Sequence, residues 1–280
     1  TLQCHDNKNS YSTASWNIVV PEGKTATIRL DSRCNYTGKL TGSGTLNLYV
    51  PFTRTYLQGN WAEFRGTICC SQSANGDFTF DNNYGLPLAT LQVEESCTVR
   101  NNKNSNMRIG SVTGGGTLGG SHGWTVGNDS GQLNSFSGTI TGSLTKVGNN
   151  ALRLSGENIF EGNTDIKNGS LVVSNIAKKT SATGCGTLTI HNQGILTGAG
   201  YIENKKVIIA SGGILRPGMN YLNSLRIKSD IDQQQGGIIE WQLNGNNSVS
   251  AIREVGRLTL KGTLRIHLKK GYSPQLGDSF

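Results

Sequence analysis

Asp230 and Asp232 are separated by one residue, so on an extended strand both carboxyl groups would share a face, about 6.5–7 Å apart. Glycoside hydrolysis needs two carboxylates about 5–10 Å apart. The surrounding Ser229-Asp-Ile-Asp-Gln-Gln-Gln-Gly-Gly237 reads as a hydrophilic turn rather than a strand that would hold such a pair. Asp77 and Asp81 are a second near pair. Glu94 and Glu95 are adjacent, and adjacent residues of a strand point apart. The four histidines, His5, His122, His191 and His267, lie in no nucleophile-elbow context. Gly114-Gly-Gly116 lacks the Gly-Lys-Ser/Thr and the helix of a phosphate loop. The stretch Gly114 to Gly120 is better read as a corner. No catalytic residue is assigned.

Binding chemistry has a better foothold. Tyr49-Val-Pro-Phe-Thr-Arg-Thr-Tyr-Leu-Gln-Gly-Asn-Trp61 is the densest aromatic and basic stretch of the chain. Sugar rings stack on aromatic faces while polar groups read their hydroxyls. Arg54, Tyr56 and Trp61 are therefore the candidate ligand-binding residues, on a loop that grips a glycan. The competing reading is a local hydrophobic cluster that caps a coil.

Six cysteines, Cys4, Cys34, Cys69, Cys70, Cys97 and Cys185, show no C-x-x-C spacing and no accompanying histidine pair, which speaks against a zinc site. Cys69 and Cys70 would point to opposite faces of a strand. Cys70 and Cys97, or Cys4 and Cys34, are about one coil apart and could stack or pair. Small buried side chains are favoured over disulfides. No metal or other cofactor is expected.

The elements that would carry these residues follow from a repeat. A glycine, a small or apolar residue and then alternating apolar positions recur in Ser43-Gly-Thr-Leu-Asn-Leu-Tyr-Val50, Arg65-Gly-Thr-Ile68, Ser137-Gly-Thr-Ile140, Asn168-Gly-Ser-Leu-Val-Val173, Cys185-Gly-Thr-Leu-Thr-Ile190 and Lys261-Gly-Thr-Leu-Arg-Ile266. Successive matches lie about 17–25 residues apart, with weaker ones such as Leu91-Gln-Val93 and Leu225-Arg-Ile227 in the wider gaps. Such a period indicates a repeat architecture. A strand this short is not stable alone, so each needs an equivalent above and below it. No window shows the apolar i, i+3, i+4, i+7 pattern of a helix. With about 22 residues per coil, 280 residues make roughly 12 coils of a parallel β-helix. Asn82, Asn83, Asn101, Asn102, Asn149 and Asn150 suit its corners, where they can form hydrogen-bonded ladders.

Charge is uneven. Residues 1–140 carry 10 Lys+Arg and 9 Asp+Glu, and residues 141–280 carry 16 and 9, so the net +8 lies mostly in the second half. A basic half attracts acidic polysaccharide, lipopolysaccharide phosphate or nucleic acid unless its charges are spread over several faces. The pairs Lys178-Lys179, Lys205-Lys206 and Lys269-Lys270 sit in turn-like segments, which favours the spread. No run reaches the ~18 apolar residues of a membrane helix. No charged-then-apolar leader opens the chain. Either a secretion signal has been removed or the chain is a piece of something longer. Gly277-Asp-Ser-Phe280 reads as a turn and the start of another strand, so the β-helix is expected to continue beyond it.

The second half resembles a known family. Phe136-Ser-Gly-Thr-Ile-Thr-Gly-Ser-Leu-Thr-Lys-Val-Gly148, Ala151-Leu-Arg-Leu-Ser-Gly-Glu-Asn-Ile-Phe-Glu-Gly162 and Asn168-Gly-Ser-Leu-Val-Val173 are similar to the autotransporter-associated β-strand repeat. The likeness continues through Gly194-Ile-Leu-Thr-Gly-Ala-Gly200 and Gly212-Gly-Ile-Leu-Arg-Pro-Gly218 and covers about residues 133–280. Residues 1–132 share the style but match less closely. The resemblance implies a right-handed parallel β-helix on a secreted or cell-surface protein of Gram-negative-type bacteria, of the passenger kind found in adhesins, stalks and beside glycan-active modules. Arg216-Pro217 also resembles a fragment of the pectate-lyase signature, but the second arginine is missing.

The expectation is thus an all-β chain, a single right-handed parallel β-helix, with residues 1–35 as N-terminal strand and cap and residues 36–280 as the solenoid. Trp16-Asn-Ile-Val-Val20 is its first clear strand. The expected role is a non-enzymatic extracellular or surface scaffold, an adhesin-like stalk or glycan-contacting module of a larger bacterial protein. Its expected partner is a polysaccharide or a host or surface glycan, with no nucleic acid. The alternative is a polysaccharide lyase or glycoside hydrolase of β-helix type, or its accessory domain.

Overall fold

The computed structural model describes residues 2–4, 12–30, 33–50, 55–72, 78–103, 107–176, 180–218, 223–243 and 250–277. Among them the regular elements are all strands, and no helix occurs. Strand-to-strand pairing is parallel, and the strands stack as a right-handed-type β-solenoid. About ten turns are formed, slightly fewer than the roughly 12 expected. The chain divides into two compact units, residues 1–144 and 145–280.

In the first unit one wall runs Leu2–Cys4, Thr25–Leu30, Thr45–Val50, Thr67–Gln72, Leu86–Val93, Arg108–Gly114 and Leu133–Phe136, each strand beside the next. A second wall runs Ser12–Ala14, Cys34–Tyr36, Thr55–Leu57, Phe78–Phe80, Thr98–Asn101, Thr117–Gly119 and Thr139–Ile140. Ile18–Val20 pairs with Leu40–Gly42. Two strands therefore precede the stretch Trp16 to Val20. Within residues 1–35 the described strands Leu2–Cys4, Ser12–Ala14, Ile18–Val20 and Thr25–Leu30 take parallel partners in the following turn.

Alternation explains why these short segments hold. In Thr45–Val50 the side chains of Leu46, Leu48 and Val50 are buried and the intervening ones are half-buried. Register then stacks like on like: Leu46, Ile68, Leu91 and Val112 form one column, each fully buried. Each buried aliphatic contributes about 1.5–3 kcal/mol gross, most of which offsets chain entropy. The corners need closeness as well as bend. A Cβ on Gly66 would lie 1.8 Å from the carbonyl oxygen of Gly44, and one on Gly138 would lie 1.8 Å from that of Gly116. Only a residue without a side chain lets one coil sit on the next there.

The second unit has two such runs. Ala151–Leu154, Gly169–Val173, Gly194–Gly198, Ile214–Pro217, Ile238–Leu243 and Thr263–Leu268 form one. Thr164–Ile166, Thr187–Ile190, Lys206–Ile209, Asp230–Gln233 and Leu258–Leu260 form the other. A third, shorter run is Tyr201–Ile202, Ser224–Ile227 and Ala251–Arg253. The core column Leu152, Leu171, Leu196, Leu215 and Ile239 advances 19–25 residues per rung. Segment 229–237, which reads as a turn in sequence, contains the strand Asp230–Gln233, and only its tail turns.

Asparagines close the corners, but by capping main-chain groups. Asn82 donates to Leu57 O at 3.0 Å and accepts from the amides of Tyr84 and Gly85. Asn204 donates to Thr183 O and Gly186 O at 3.1 and 2.8 Å. Buried main-chain groups must be satisfied in this way. Lys146 goes further. It is fully buried, and its ammonium donates to the carbonyls of Val147, Gly148 and Asn168 and to Asn150 Oδ1 at 2.6–3.2 Å.

Candidate functional site

The three residues that the sequence puts forward for ligand contact separate in the fold. Arg54 lies outside the described residues. Trp61 is 1% exposed: its indole donates to Gly38 O at 3.1 Å, and its ring meets Tyr36 and Phe80 edge-on at 5.8 and 6.2 Å. That is the hydrophobic-cluster arrangement, and no ring face is open to a sugar. Tyr56 is half-buried on the outer face, opposite Asn35 on one side and Thr79 on the other. With Asn35, Gln58 and Asp81 it lines a surface groove of about 260 Å³. Gln58 donates to Asp81 at 2.8 Å, and Lys103 lies 3.3 Å from the same carboxylate. This groove offers one aromatic face and amide groups, which suits weak contact with a sugar.

The carboxylate pair behaves differently from its sequence reading. Asp230 and Asp232 alternate with inward Ile231 and Gln233 on one strand, so their side chains share its outer face. Register places Lys206 beside Asp230, Ile208 beside Asp232, and Thr259 beyond Asp232. Lys206 Nζ donates to Asp232 at 2.8 Å, and this bond holds the carboxyl below the usual aspartate range. The main-chain N–H of Arg257 donates to Asp230 Oδ1 at 2.7 Å. Lys206, Asp230, Asp232, Arg257, Thr259 and Lys261 line a groove of about 280 Å³. A second groove of about 460 Å³ adjoins it through Asp230 and takes in Lys205, Lys228, Ser229 and Glu254. Lys228 is engaged by Glu203 at 2.8 Å, a bond that raises the lysine's pKa. Lys205, Arg257 and Lys261 have no ion pair among the described residues and are exposed.

Sequence reading reaches the two aspartates through their spacing and the pair Lys205-Lys206 through its charge, but it does not place them together and misses Arg257 and Lys261 as their neighbours. Lys205 ends a corner, as expected, whereas Lys206 opens a strand. Arg257 and Lys261 carry no local signal at all. They meet Lys206 only because the coils stack.

Two further polar clusters sit on the second unit. Glu240, whose side chain is 2% exposed, takes Arg216 on one oxygen and Arg265 on the other, both at 2.6 Å, with His267 at 3.5 Å. Burial alone would raise its pKa, but the bonds and charges of Arg216, then of Arg265 and His267, outweigh it and leave the carboxyl below its ordinary value. His191 Nε2 meets Asp165 Oδ1 at 2.7 Å on a half-exposed face. Among the described residues no group of three or more metal-ligating side chains is assembled. Asp77 and His5 lie outside the described residues.

Cys34, Cys70 and Cys97 are buried, Cys69 is half-exposed and Cys185 is exposed. Cys69 and Cys70 face opposite ways, the first half-exposed and the second buried. Burial, then Cys97, Cys69 and Glu94, pushes the Cys70 thiol well up, which makes it unreactive. Cys4 stands opposite Leu30 in the ladder. No helix among the described residues is long and apolar enough to cross a membrane. No protein-family model matches the chain, and no curated protein matches it in sequence.

Proposed function

We propose that this chain is a non-enzymatic scaffold of a secreted or cell-surface bacterial protein, an adhesin-like stalk or glycan-contacting module. The observation that carries the reading is the filled interior. Up to the last rung the inward columns of both units are buried side chains, so along the coils a ligand must use the outer faces and corners; in Leu258–Leu260 and Thr263–Leu268 the apolar side chains are 44–61% exposed. Those outer faces carry open, polar grooves at Tyr56 and at Asp230. Such surfaces suit long, hydroxyl-rich polymers that lie across several rungs. The likeness of residues 133–280 to a repeat used in bacterial surface proteins points to the same setting.

The hydrolase alternative draws on Asp230 and Asp232, but glycoside cleavage needs one carboxyl protonated as general acid. Asp232 is held ionised by Lys206, which disfavours it as that acid. A glycan array covering acidic and neutral polysaccharides tests the contact. Parallel incubations with the same polymers test for new reducing or unsaturated ends. Binding without turnover is the expected result. Uniform absence of binding would reduce the chain to a spacer, and robust turnover would make it an enzyme.

A further inference from the structure

We propose that the two adjoining grooves around Asp230 form one cleft for a carboxylated polysaccharide, a polymer of uronate units. The inference rests on the glycan-contacting reading above and names the ligand and its residues.

Charge is the first argument. Both aspartates of the cleft already have partners, Asp232 in Lys206 at 2.8 Å and Asp230 in the Arg257 amide at 2.7 Å. The guanidinium of Arg257 and the ammonium groups of Lys205 and Lys261 have no ion pair among the described residues. The two grooves together are lined by five cations, Lys205, Lys206, Lys228, Arg257 and Lys261, and three carboxylates, Asp230, Asp232 and Glu254, so the cleft presents two positive charges in excess. Carboxylate suits Arg257 because the guanidinium fork can take both oxygens at once.

Preorganisation is the second. The corner Val255-Gly256-Arg257 is seated directly on the Asp230 strand. Gly256 N donates to Ser229 O at 3.1 Å, and Ile231 N donates to Arg257 O at 2.8 Å. A Cβ on Gly256 would lie 2.6 Å from Asp230 Oδ1, so glycine permits the approach. Arg257 is thus fixed at its main chain while its side chain projects outward. Little backbone ordering is left for binding to supply.

The third argument sets the density of charge on the ligand. Asp230 and Asp232 stand among the cations, and no aromatic side chain lines either groove. A nucleic acid duplex presents one phosphate per ~1.7 Å of axis and would press charge onto both carboxylates. A single strand would find no ring on which to stack its bases. A uronate chain spaces its carboxylates with free hydroxyls. Those hydroxyls can donate to Asp230, whose second oxygen has no bond among the described residues, and meet the Thr259 hydroxyl.

The test titrates fluorescent polygalacturonate with the full chain, beside dextran, dextran sulfate and single-stranded DNA. Tight binding of polygalacturonate, weakening as salt rises, with little binding of dextran, is expected. Arg257→Gln with Lys261→Gln should weaken it at least tenfold while leaving the circular dichroism spectrum and melting temperature unchanged, because both side chains are exposed. Equal or tighter binding of dextran sulfate or DNA through the same two residues would mark a general polyanion patch and overturn the assignment. So would a double variant that binds as the parent does. If Tyr56→Ala abolishes binding and the double variant does not, the glycan-contacting reading stands and this cleft falls. If the parent binds no polysaccharide, both fall.

Discussion

Glu240 shows how much a single outward-facing residue can carry in a solenoid. Its two arginines come from the rungs on either side, Arg216 from one and Arg265 from the other, so one carboxylate ties three coils. Hydrogen bonds to a charged group contribute about 1.5–3 kcal/mol, and Glu240→Gln should cost about that at neutral pH. The pH dependence follows from the direction of its shift. The folded carboxyl titrates below the unfolded one, so its contribution is complete above the unfolded value of about 4.3 and is lost as pH falls through the folded value. Chemical denaturation of parent and Glu240→Gln chains at neutral and acidic pH measures this. The gap between them should narrow on the acid side. A gap that stays constant with pH would show that packing, not charge, ties the rungs.

At the scale of the element, the coil depends on corners that leave no room for a side chain. Gly66 is such a position, with the Gly44 carbonyl where its Cβ would be. Gly23 differs: it needs a positive φ of 68°, but nothing lies within 4 Å of the missing Cβ. Gly66→Ala must separate two rungs and should cost about 3 kcal/mol, the upper end for overpacking. Gly23→Ala meets only the left-handed backbone penalty of about 1 kcal/mol. Thermal melts of the two variants rank them, and equal losses would mean that the corner relaxes freely. These strands were legible in sequence where glycine, a small residue and alternating apolar positions coincide, as in Thr45–Val50, Gly169–Val173 and Thr187–Ile190. Asp230–Gln233 was not, because its second inward residue is polar. Gln233 is buried and donates its amide to Gly237 O and Thr263 O at 2.9 and 3.0 Å, which hides the alternation. Trp61 misleads for a related reason. A lone tryptophan in a polar stretch has no periodicity to show which way it faces. The cations of the Asp230 cleft come from three successive coils, Lys205 and Lys206 from one, Lys228 from the next and Arg257 and Lys261 from the third, and only the register brings them together.

For the molecule as a whole, the repeat makes stability a sum over neighbours. Leu196 is fully buried between Leu171 and Leu215. Leu196→Ala removes about 2–5 kcal/mol from that column, the range for buried leucine truncation. In a globular core the loss would spread over every element that shares the core. Along a solenoid it should fall first on the rungs that touch the gap. Amide hydrogen exchange of the variant should therefore speed up most in Gly169–Val173, Gly194–Gly198 and Ile214–Pro217. Ala151–Leu154 and Thr263–Leu268, further along the same unit, should change less. An equal rise across all five strands would mean that the second unit opens as one block. Its rungs would then be cooperative parts of a single core, and the nearest-neighbour account of its stability would be wrong.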